Sequence, residues 1–209
     1  MLGNLSIGDI LILIGAIITS LTIHEMTHAF VGFKLGDDTA AENGRITLNP
    51  LAHIDPFMTI LLPIITVFTL GTPILAAKPV PFDPNKVKWD EFGAALIAVA
   101  GPLSNLVLAF IGVVLANFVV GNSIIAHILY TFSAVNISLF VFNLIPIPPL
   151  DGSRVLYAFA PDPVRRVMEQ LEPIGLFIVF GLILIGGFGF IGNLIETVFR
   201  ALPFNPFLI

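Results

Sequence analysis

The stretch ILILIGAIITSLTIHEMTHAFVGF, Ile10 to Phe33, decides how the rest of the chain is read. It is almost wholly apolar, yet it carries His24, Glu25 and His28 in its last third. Residues i and i+4 of a helix share a face, so the two imidazoles point the same way. Two imidazoles on one face can bind a single zinc ion, with Glu25 beside it to handle protons. Ionisable groups at membrane depth are expensive and usually mark a functional site. The bland alternative is a chance HExxH match of the kind that occurs in soluble helices. An apolar helix gives unliganded imidazoles and a carboxylate little reason to be there, so the metal reading is preferred.

Composition supports a membrane setting. The chain has 209 residues, of which 56% are hydrophobic and 11% charged, with a mean hydropathy of +1.00. An ordinary soluble domain has about a quarter of its residues charged. The balance indicates an all-α polytopic membrane protein in contact with the lipid bilayer, built as one domain over 1–209. The net charge of -5 and the lack of a basic cluster give nucleic acid no footing. With no cysteine, disulfides, thiolate zinc sites and cysteine nucleophiles are excluded together. A metal here must use His, Asp or Glu. The first apolar run lacks a basic flank and is long, so it is expected to be a retained span and not a cleaved signal peptide.

Outward from that run, Ile7 to Phe33 is long enough to cross a hydrocarbon core of ~30 Å. A polar exit follows at residues 34–38. Turn formers and the β-prone piece Arg45–Leu48 predict a short β-hairpin within 39–55. His53 and Asp55 have ligand chemistry but are read as interfacial. Residues 57–77 are apolar but broken by Pro63, Gly71 and Pro73, giving a re-entrant hairpin or an irregular span. Further spans are expected at 92–120, at 124–144 and, rich in glycine, at 174–198. About four full spans result. Between the last two lies PIPPLDG, Pro146 to Gly152, whose prolines stop any regular helix.

Charge sets the expected orientation. If 57–77 re-enters, the loops at 34–55, 78–91 and 151–172 share one face. That face then holds every basic residue except Arg200, as the cytoplasmic bias of Lys and Arg requires. The N-terminus is then outside.

A catalytic zinc typically takes three protein ligands and keeps one position open. Asp151 is the best candidate for the third, although a simple turn cap would explain PPLDG equally well when read alone.

Taken together, HEMTHAF (24–30), GRITLNPLAHIDP (44–56), GPLSN (101–105) and NLIPIPPLDGSRVL (143–156) resemble the site-2 protease family of intramembrane zinc metalloproteases. The likeness runs in order over most of 20–160 and is closest to compact prokaryotic members without PDZ or CBS domains. The resemblance implies one zinc per chain held by His24, His28 and Asp151, with Glu25 as the catalytic glutamate. Asn105 and Asn143 match family asparagines, to which a substrate-binding or oxyanion role is assigned in expectation. Interhelical hydrogen bonding is the plainer role for both. It further implies cleavage of transmembrane protein or peptide substrates near the cytoplasmic face of the cell membrane. The β-prone Gly44–Leu48 would offer an edge to an unwound substrate. Two other readings stay open: a membrane metal carrier, and a non-proteolytic zinc-binding or helix-binding protein of the same fold. Substrate identity and oligomeric state are not encoded in any motif.

Overall fold

The computed structural model describes residues 6–53, 80–119, 123–184 and 189–202. All regular elements among them are helical. Three helices are long and apolar enough to cross a membrane: α1 (Ile7–Lys34), α3 (Asp90–Asn117) and α4 (Ile124–Asn143). At ~1.5 Å per residue, the two of 28 residues reach about 42 Å, more than a hydrocarbon core.

Each helix starts on local chemistry. Ser6 and Asp9 form a reciprocal capping box at the head of α1, with Asp9 N–H donating to Ser6 Oγ (3.1 Å) and Ser6 N–H to Asp9 Oδ2 (2.9 Å). Lys34 closes the other end, where a cation complements the helix dipole. Asp90 and Glu91 open α3, and Ser123 Oγ caps α4 by accepting from Ala126 N–H.

Helices α1, α3 and α4 pack against one another, and α5 (Asp151–Phe159) packs on α3. Small residues line these contacts: Ala16, Ala29, Ala98, Ala109, Ala116 and Gly112 are all buried. Lipid offers no hydrophobic gain on helix association, so close backbone approach through small side chains is what binds such helices. Large apolar groups such as Leu11, Ile14, Val107, Phe110 and Leu115 are instead exposed, forming a lipid-facing exterior. Beyond α5 come α6 (Asp162–Leu171), α7 (Gly175–Leu184) and α8 (Gly189–Ala201), the last packed against α4.

Two sequence expectations are corrected. No strand forms within 39–53; the segment holds the short helix α2 (Thr39–Glu42), bends and a 3-10 turn at Pro50–Ala52. Its polar groups bond within the loop and not across a ladder. Arg45 Nη1 donates to Ala52 O (2.7 Å), His53 Nε2 to Thr47 O (2.9 Å), and Asn49 Oδ1 accepts from Leu51 N–H (3.1 Å). Four full spans are likewise not seen among the described residues. The described residues of the expected span 174–198 form α7 and α8, and α8 carries an exposed Glu196–Arg200 pair (2.6 Å) that suits an interface better than lipid. Residues 57–77, read as re-entrant or broken, lie outside the described residues.

Three hydrogen bonds hold the loops beyond the end of α1. Lys88 N–H donates to Leu35 O (2.8 Å), and the buried Asp37 accepts from Thr39 N–H (3.0 Å) and Asp83 N–H (2.9 Å). The segment before α3 is thereby fastened to the end of α1.

Candidate metal centre

His24 and His28 lie one helical turn apart on α1 and are 3% and 7% exposed. Asp151 opens α5 directly after the proline turn. The ligand atoms of these three converge within 4.8 Å of one another, the only such group among the described residues. The two Nε2 atoms are 3.0 Å apart, and Asp151 Oδ2 stands 3.2 Å from that of His24 and 3.3 Å from that of His28.

The partners of the two rings decide what these atoms are. His28 Nδ1 lies 2.7 Å from Ile97 O, a carbonyl that only accepts, so Nδ1 carries the proton. His24 Nδ1 lies 2.6 Å from Asn105 Oδ1 and donates there. Each neutral ring then turns a lone pair on Nε2 to the centre. Asp151 Oδ2 is buried there without a hydrogen-bond donor. Three acceptors face one point. A proton on one ring could serve one of the close approaches but not all three. A cation serves all of them.

The size fits zinc. Ligand atoms about 2.0–2.2 Å from a tetrahedral zinc stand roughly 3.3–3.6 Å from each other. The observed triangle is close to one face of that tetrahedron, with the fourth vertex left for water or substrate. Space is made by Gly101 of α3: a Cβ there would lie 2.3 Å from His28 Nε2 and 2.7 Å from His24 Cε1. Gly152 has a matching role, since a Cβ would lie 2.2 Å from Leu144 O and push α5 off the end of α4.

Glu25 is half-buried on the same turn of α1, within Coulombic range of both histidines and Asp151. Asn105 is fully buried; its Oδ1 meets His24 and its Nδ2 donates to Asn136 Oδ1 (2.8 Å). Asn143 is half-buried, and its Nδ2 turns back to Leu139 O (3.0 Å). His53 is buried with an unpartnered Nδ1; it is not one of the three grouped ligands but lies within Coulombic range of Glu25. Asp55 lies outside the described residues. Sequence reasoning did not single out Ile97, Gly101, Ser20 or Asn136 as parts of the site. For Asn136, the available signal was an amide inside an apolar span.

Comparisons with known proteins point the same way as the geometry. Residues 119–186, which include Asn136, Asn143 and Asp151, match Peptidase family M50. YwhC of Bacillus subtilis, whose name assigns it provisionally as a zinc metalloprotease, is 42% identical over 179 residues, covering 80% of this chain and 77% of that protein. Rip2 of Mycolicibacterium smegmatis, named in the same way, is 27% identical over 185 residues, covering 85% and 68%. MJ0611 of Methanocaldococcus jannaschii, again so named, is 30% identical over 153 residues, covering 73% of each chain. No solved structure matches the chain.

Proposed function

The chain belongs to peptidase family M50, the site-2 protease family, and from that premise we propose that it is a zinc-dependent endopeptidase acting on transmembrane segments of membrane proteins. The observation that carries this reading is the convergence of His24, His28 and Asp151 on one point inside a bundle of membrane-capable helices.

His24 Nε2, His28 Nε2 and Asp151 Oδ2 would hold one zinc per chain. When bound, zinc supplies Lewis acidity, polarising a carbonyl and making water a stronger acid. The chain's own groups do the rest. The Glu25 carboxylate takes a proton from the attacking water and delivers it to the nitrogen of the departing peptide. Released from Leu139 O, the Asn143 amide would hydrogen-bond the substrate backbone or the oxyanion. Burial of both rings restricts the access of water to the ligand atoms.

The site lies toward the Lys34 end of α1, with His28 six residues, or about 9 Å, from that terminus. Lys86 and Lys88 sit at the same end, through Lys86–Asp38 (2.5 Å) and Lys88 N–H to Leu35 O. The far end presents Asp9 paired with His127 (2.9 Å). This asymmetry supports an orientation with the N-terminus outside and the site near the cytoplasmic face of the cell membrane.

The test is metal content and peptide-bond cleavage in the detergent-purified chain. About one zinc per chain is expected, strongly reduced in both His24→Ala and Asp151→Ala. Glu25→Gln should keep zinc and lose cleavage of a transmembrane substrate peptide. Cleavage that persists in Glu25→Gln, or zinc unaffected by Asp151→Ala, would sink the reading.

A further inference from the structure

A line of hydrogen bonds runs from the backbone of α4 to the ring of His24. Phe132 O is a carbonyl, so the Asn136 side-chain atom 2.9 Å from it must be Nδ2. The same Nδ2 donates to Ser20 Oγ (2.8 Å), one turn before His24 on α1. Asn136 therefore presents Oδ1 to Asn105, whose facing atom must be a donor, Nδ2, at 2.8 Å. Asn105 in turn presents Oδ1 to His24 Nδ1 at 2.6 Å. Ser20, Asn105 and Asn136 are all 0% exposed, so water cannot substitute for any partner.

Each step excludes its own reversal. Turning the Asn105 amide over would set two oxygens against each other at Asn136, whichever nitrogen of His24 carried the proton. Turning Asn136 over would set its oxygen against Phe132 O. One backbone carbonyl thus determines two amide orientations and, at the end, which nitrogen of His24 is protonated.

Resting on the zinc site proposed above, we infer that Asn136 and Asn105 form a relay that holds His24 in its Nδ1–H tautomer, keeping the Nε2 lone pair on the metal. Asn105 and Asn136 are positioning residues in this scheme and touch neither metal nor substrate. The expectation that Asn105 binds substrate gives way to this role, because both ends of its buried amide are already engaged. His28 is oriented separately, by Ile97 O (2.7 Å). The two histidines therefore have independent supports, one from a backbone carbonyl directly and one through two side chains. Outer partners of ligating histidines are typically worth about 10- to 100-fold in metal affinity.

Interhelical packing alone would lower stability on substitution but leave the zinc affinity of the folded protein unchanged. The experiment is therefore zinc affinity by chelator competition on the full chain in detergent, with folding followed by helicity and elution volume. Asn105→Leu should weaken zinc by about 10- to 100-fold. Asn136→Leu, which removes the group that orients Asn105, should weaken it at least ~3-fold. Unchanged affinity in folded Asn105→Leu or Asn136→Leu overturns the relay. If both leucine variants fail to fold, the imidazole 15N shifts of His24 in the unsubstituted, metal-free chain decide: an Nδ1–H ring is expected, and an Nε2–H ring overturns the relay. Absence of zinc from the unsubstituted chain overturns both this inference and the proposed function. Zinc bound there and held equally by Asn105→Leu overturns the relay alone.

Discussion

Gly101 of α3 lies directly against His28 of α1: a Cβ on Gly101 would stand 2.3 Å from His28 Nε2 and 2.5 Å from Cε1. The space in which the two imidazoles meet Asp151 is thus defined by the absence of a side chain on a neighbouring helix. Gly101→Ala should leave a folded, helical protein whose zinc affinity falls at least tenfold, since the rings must move off a geometry that tolerates little error. Chelator competition beside circular dichroism checks this. Affinity equal to that of the unsubstituted chain would mean the rings have room to retreat.

Gly152 makes a different close approach, to backbone. Its Cβ would fall 2.2 Å from Leu144 O and 2.7 Å from Ile145 O. Both carbonyls belong to the turn just past α4, and that of Ile145 is already held by Ile147 N–H (2.8 Å). Gly152→Ala should lower stability by about 1–3 kcal/mol, the ordinary cost of overpacking, and displace Asp151 as well. Thermal unfolding in detergent and zinc content would fall together. A variant that lost stability but kept full zinc would show that Asp151 is held independently of its neighbour.

Arg165 closes the C-terminus of α5. It donates to Tyr157 O (3.0 Å), Ala158 O (3.0 Å) and Ala160 O (2.9 Å), and lies 5.1 Å from the centroid of the Tyr157 ring. Free carbonyls at a helix end need such donors. Arg165→Ala should cost about 1–3 kcal/mol. Arg165→Lys should recover only part of this, because a single ammonium cannot reproduce the guanidinium fork. Limited proteolysis near residues 158–162 is the direct measurement, with faster cutting expected in both variants.

Asp37 fastens α1 to the segment before α3. The carboxylate is 2% exposed and takes backbone N–H groups from Thr39 and Asp83. Asp37→Asn replaces one acceptor with a donor, which would face an N–H. A loss of about 1–3 kcal/mol is expected. Hydrogen exchange should speed up at residues 83–88 with little change in the centre of α1. Uniform acceleration along α1 would place the anchor's effect elsewhere.

Much of this protein is legible in its sequence, for local reasons. Helical periodicity alone puts His24 and His28 on one face, and hydropathy alone marks 7–33, 92–120 and 124–144 as membrane-capable. Proline chemistry marks 146–149 as a non-helical approach to Asp151. The β-prone reading of Arg45–Leu48 failed because propensity weighs side chains one at a time. Here Arg45, Thr47, Asn49 and His53 satisfy the loop from within, leaving no ladder to form.

What the sequence by itself determined is the chemistry: an apolar chain without cysteine, two imidazoles and a carboxylate on one turn, and an aspartate released from a rigid turn far along the chain. What only the tertiary structure decided is the assembly. It brings Asp151 within 3.3 Å of both rings, places Gly101 where a methyl would collide, and runs a line from Phe132 O to His24 Nδ1. The reason is physical. Ligand identity resides in single residues, but lone-pair direction and free space belong to groups tens of residues apart, and they exist only once α1, α3 and α4 are packed.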